Sequence, residues 1–148
     1  MKRTFLRDER ACKHGPTLLA GYQHVHLHPT EAARGSSSPL PEATGGEAGL
    51  SVITYGELIY GAEKSAKREA ALERLRELIT LLPELPMPET AAETHGSIRA
   101  TLEAKGEMIG NNDLWIAAHA LASNLTLVTN NEREFRRVPG LKVQNWAV

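Results

Sequence analysis

From Leu50 onward, short β-rich apolar runs alternate with stretches of helical period, and this alternation limits the fold more than any other feature. "GLSVI" is a first β-rich run. "TYGELIYGAEKS" follows, and Thr54-x-x-Glu57 fits a capping box that opens a helix. In "AKREAALERLRELITLLPELP", Leu72, Leu75, Leu78, Ile79 and Leu82 recur at helical spacing, and Pro83 stops the run. "PMPETAAETHGSIRATLEAKG" reads as another helix. Pro88 suits its first turn, Ala91, His95, Ile98 and Leu102 share a face, and Gly106 ends it. "NNDLWIAAHALASN" predicts a short helix capped by Asn111 or Asn112. "LTLVTN" is a buried-type strand, "EREFRR" one or two helical turns, Pro139-Gly140 a turn and "LKVQNW" a last strand. Strands alternating with helices predict an α/β domain with a mainly parallel sheet.

Residues 1–49 are of another kind. Ser, Pro and Gly cluster in "RGSSSPLPEATGGEAG", and Thr17–Ala20 is the one short apolar patch. Such composition reads as loop or disorder. "YQHVHLHPT" sets His24, His26 and His28 on alternate positions, with His14 upstream. Alternate residues of an extended chain face one way, but a Zn²⁺ site usually needs a fourth ligand and ordered surroundings, and neither is apparent.

Composition excludes several functions. The net charge is −1, so no global field draws the chain to nucleic acid. Cys12 is the single cysteine, which rules out an internal disulfide or a CxxC knuckle and suits a reducing cytosol. No apolar run approaches the roughly 20 residues of a membrane span, and Lys2, Arg3 and Arg7 lack the apolar stretch of a signal peptide. No GxGxxG or Walker pattern supports a nucleotide-binding domain.

The chemistry-bearing residues fall near strand ends. Asp113 opens an apolar helix, where an acid also simply offsets the macrodipole. Glu57 follows the run "SVI", and Asn131 follows "LTLV". In open α/β sheets, sites form beyond the carboxyl ends of strands. Carboxylates gathered there repel one another unless protons or a cation offset them, and hard oxygen donors suit Mg²⁺ or Mn²⁺. His119, six residues after Asp113, points away from it on an ideal helix and reads as a packing or surface residue. His95 reads as core or rim. Lys64, Lys67, Arg68, Arg74 and Arg76 alternate with Glu69, Glu73 and Glu77, the pattern of a solvated helix face.

Three blocks in this order, "SVITYGELIYGAEKS", "IRATLEAKGEMIGNNDLWIAAHA" and "LTLVTNNEREFRRVPGLKVQNW", closely resemble PIN-domain ribonucleases of the VapC toxin type. The resemblance implies an α/β/α sandwich, a Mg²⁺- or Mn²⁺-dependent endoribonuclease acting on RNA, a VapB-like antitoxin partner and commonly a homodimer. By position it implies Asp113 and Glu57 as metal ligands, with Asn131 in the catalytic set. Thr129 and Glu134 would stand behind them. Phe135 and Trp146 match packing positions. An incomplete PIN domain over residues 50–148 then follows an aberrant, disordered segment, 1–49.

The family's first strand ends in a Leu-Asp-Thr-Asn type motif whose aspartate is a principal metal ligand. Residues 1–49 lack it, and Asp8 in "FLRDERACK" is a poor substitute. The first strand is therefore expected to be missing or non-native, and ribonuclease activity weak or absent. Gly21–Pro29 can be encoded as GGA TAC CAA CAT GTG CAT CTA CAT CCA. One base later, that string reads Asp-Thr-Asn-Met-Cys-Ile-Tyr-Ile, the missing motif. A frameshifted N-terminus is thus expected. The competing expectation is a catalytically dead remnant that only binds an antitoxin.

Overall fold

The structure is a computed structural model that describes residues 17–19 and 48–145. The histidine run, Asp8 and Trp146 lie outside those residues. Among the described residues, five short strands form one sheet: β1 (Thr17–Leu19), β2 (Ala48–Ser51), β3 (Glu84–Leu85), β4 (Thr126–Val128) and β5 (Val143–Gln144). Their order is β3-β2-β1-β4-β5, and every pair is parallel. Parallel neighbours need crossover connections, supplied among the described residues by α1 (Val52–Glu63), α2 (Arg68–Leu81), α3 (Ala91–Lys105), α4 (Asn111–Ala122) and the short α5 (Glu132–Phe135).

The central place in the sheet, where the first strand was expected to be missing or non-native, is held by Thr17–Leu19, which carries no Leu-Asp-Thr-Asn type motif. Thr17–Leu19 pairs with β2 on one side (Leu19 opposite Leu50) and with β4 on the other (Leu19 opposite Val128). The one apolar patch of the N-terminal third is long enough to bridge two buried strands, because three residues suffice to align both ladders. The sequence that follows it, Ala20-Gly21-Tyr22, carries no carboxylate.

Alternation along the strands builds a three-layer sandwich. Leu127 faces α3 and α4 in the larger core, which holds Ile98, Leu102, Leu114, Ile116, Phe135 and Val138. Leu50 and Val128 face the other way, against Leu58 of α1 and Leu78 and Ile79 of α2. His119 is fully buried in α4, its Nδ1 lying 3.5 Å from Ser51 Oγ. Burial pushes its pKa down, so it packs as a neutral ring. Burial on α3 follows the predicted face through Ala91, Ile98 and Leu102, and Gly106 ends that helix at φ 67°.

Three local readings are corrected. The run "GLSVI" ends as a strand at Ser51, and Val52 and Ile53 already belong to α1. Ser51 is the N-cap: its hydroxyl accepts from Ile53 N at 3.3 Å. Thr54 therefore does not open a capping box. Its side chain turns inward, buried and without a hydrogen-bond partner among the described residues, and Glu57 is left free of any capping duty. Likewise Gly110, not Asn111 or Asn112, caps α4. Glu84–Leu85, beyond the helix stop at Pro83, adds an edge strand between Pro83 and Pro86, a position that tolerates flanking prolines. Gly49 allows that edge to close: a Cβ there would lie 2.6 Å from the Pro83 carbonyl.

Candidate active site

The carboxylates converge because three connections start at the same end of the sheet. α1 leaves β2 directly, so Glu57 sits in its second turn. Thr129 and Asn131 follow β4 and lead into α5, which carries Glu134. α4 begins after the 106–110 loop and presents Asp113 in its first turn.

Asp113 is the most perturbed carboxyl group. Its pKa is pushed up to about 6, first by burial, then by its hydrogen bond to Glu134 and the negative charges of Glu134 and Glu57. Glu134 thus stands beside Asp113. Its Oε2 also accepts a long bond from Gly110 N, at 3.5 Å. Arg137 Nη1 donates to Met108 O at 3.1 Å. Together these contacts tie α5 to the loop that delivers Asp113.

Glu57 is exposed, and its Oε1 accepts from Asn112 Nδ2 at 2.8 Å. Thr129 is buried, and its Oγ1 accepts the Asn131 backbone N–H at 3.0 Å. That bond shapes the turn after β4 and makes Asn131 the N-cap residue of α5, while its side chain makes no cap bond. The sequence reading singled out Glu57, Asp113, Thr129, Asn131 and Glu134, and the structure brings the three acids to one place. It also adds Asn112 and Arg137. Asn112 was legible only as a cap candidate, and nothing in the sequence marks Arg137.

The donors are hard oxygens with unbalanced negative charge, the chemistry of a divalent-cation site. Among the described residues, however, no three His, Cys, Asp or Glu side chains are arranged to hold a metal ion. The crevice has the right chemistry and an incomplete set. The basic residues of α2 are engaged elsewhere: Arg68 pairs with Glu63 and Arg76 with Glu73, both exposed to water.

Comparison with known proteins agrees with this geometry. The PIN domain family model matches residues 29–141, starting beyond β1. Over 97 residues the chain is 44% identical to ribonuclease VapC2 of Rickettsia felis, covering 66% of this chain and 72% of that one. It is 45% identical to the tRNA(fMet)-specific endonuclease VapC of Salmonella typhimurium, covering 66% and 74%. The solved structure of VapBC-1 from nontypeable Haemophilus influenzae superposes with a TM-score of 0.65 at 40% identity, covering 67% of this chain and 74% of that one. A parallel sandwich, acids gathered at one end of its sheet and identity of this extent place the chain in the PIN-domain family, among the VapC ribonucleases.

Proposed function

We propose that the chain is the toxin of a type II toxin–antitoxin pair: an endoribonuclease by descent, with activity weak or absent because one carboxylate is missing. The observation that carries the reading is the meeting of Asp113, Glu134 and Glu57 at one end of a PIN sheet whose central strand is followed by no acid. Asp113 would hold Mg²⁺ or Mn²⁺ directly, and Glu57 directly or through water. When bound, such an ion polarises a phosphodiester and acidifies a water. Glu134, hydrogen-bonded to Asp113, aligns that carboxyl group. Asn131 orients a water or a ligand oxygen, and Thr129 fixes the turn that presents it. The substrate is RNA, the partner a VapB-like antitoxin, the setting the cytosol and the assembly a homodimer.

The frameshift reading supplies the test. As written, the chain should cleave RNA at or near background. Replacing Gly21–His28 by Asp-Thr-Asn-Met-Cys-Ile-Tyr-Ile should raise cleavage by about 100-fold or more, the scale of a restored catalytic group. The gain should require Mg²⁺ or Mn²⁺ and vanish on Asp113→Ala. Strong divalent-dependent cleavage by the unaltered chain would defeat the incomplete-site reading. The second reading, a remnant that only binds antitoxin, rests on the same missing acid. It is favoured if the repaired chain stays inactive while the unaltered one still captures an antitoxin.

A further inference from the structure

Glu57 poses a positional problem. Its carboxylate is exposed, sits on a long side chain and is repelled by the negative charge at Asp113. Left alone, it would swing into water, and ordering it again costs rotamer entropy. One side chain prevents this. Asn112 Nδ2, on α4, donates to Glu57 Oε1, on α1, at 2.8 Å across 55 residues of sequence. The bond uses one carboxylate oxygen, Oε1.

The chemical choice at position 112 matters. A lysine or arginine would hold the carboxylate more strongly but would neutralise it and compete with a cation. An aspartate would have no proton to donate and would add a further negative charge. An amide donates a hydrogen bond and brings no net charge. Asn112 also stands next to Asp113 in the first turn of α4. The same backbone segment therefore carries one carboxylate and the clamp for the other. Ser51 caps α1 and Gly110 caps α4, so Asn112 has no capping task that would account for it.

We propose that Asn112 is a positioning residue, whose side-chain amide holds the Glu57 carboxylate beside Asp113 in the pose from which both reach one divalent cation. The inference rests on the divalent-site reading above.

The test is Mn²⁺ binding to the full chain, followed by electron paramagnetic resonance, with thermal unfolding of the metal-free protein alongside. Asn112→Ala should weaken Mn²⁺ binding about tenfold or more, the usual scale for a residue behind a metal ligand. The metal-free melting temperature should stay within about 1 °C, because the contact is exposed. Asn112→Gln, which keeps the amide donor, should recover most of the affinity. The Asn112→Ala/Glu57→Ala double variant should bind no more weakly than Glu57→Ala alone, since both changes remove one function. Full affinity in Asn112→Ala, or losses that simply add in the double variant, overturns the assignment while leaving the metal site standing. Failure of the unaltered chain to bind Mn²⁺ overturns the divalent-site reading and this inference with it.

Discussion

The two halves of α4 obey opposite rules. From Ile116 to Ala120 the helix is almost completely buried, with four of those five residues at 0% exposure and Ile116 at 1%. Its neighbours there, Leu102, Leu127 and Phe135, are apolar and equally buried. Three residues before Ile116, Asp113 holds a half-buried carboxyl group against two other acids. One half gains stability from what it touches. The other is held in a place that costs stability, and the packed half makes that placement possible. Sites built on rigid elements keep their geometry in this way.

The largest effect should come from the packed half. Ile116→Ala removes a buried branched side chain where the surroundings cannot collapse freely. It should lower unfolding stability by about 2–5 kcal/mol in urea titration. A loss below 1 kcal/mol would show the helix interior to be softer than its burial indicates, and the contrast between the halves would shrink.

The acidic half should respond with the opposite sign. Burial and its acidic neighbours raise the Asp113 pKa to about 6, from an ordinary value of 3.8. Between those pH values the folded protein holds a proton that the unfolded chain has released. Stability therefore falls as pH rises through this window, and the loss is complete above about 6. Asp113→Asn removes the charge and keeps the shape. At pH 7.5 it should stabilise the fold by about 1 kcal/mol once solvent screening of a half-exposed group is allowed for. The gain should fade below about pH 4, where both forms are neutral, and the same variant should lose Mn²⁺ binding. Equal stability of the two proteins at pH 7.5 would mean that Asp113 is not strained.

This difference also explains what could be read from the sequence. The packed half announces itself, because apolar residues at helical spacing have few alternatives to burial. The same holds for α3 and for β4, whereas the acids were singled out chiefly by the resemblance of the three sequence blocks, and Glu134 by that alone. Local boundaries were harder. Val52 and Ile53 have strand propensity, yet packing and the Ser51 cap draw them into α1. The central strand was hidden because Thr17–Leu19 is only three residues long and stands among residues with no periodic pattern. The Asn112 bond to Glu57 was illegible for a different reason: it joins residues 55 apart, and only the assembled sheet brings them together.

The smallest effect separates the causes acting on Asp113. Burial comes first, ahead of Glu134 and then Glu57. Glu134→Gln takes away a negative charge and can still hydrogen-bond through its amide. The Asp113 midpoint, followed by carboxyl carbon resonance in an NMR titration, should move down from about 6 but stop well short of 3.8, since burial and Glu57 persist. Stability at pH 7.5 should rise by a few tenths of a kcal/mol, less than in Asp113→Asn, because a neighbouring charge rather than the buried one is removed. An unmoved midpoint would assign the strain to burial alone. A full return to 3.8 would assign it to charge, and would mean that the crevice is wetter than the packing beneath it requires.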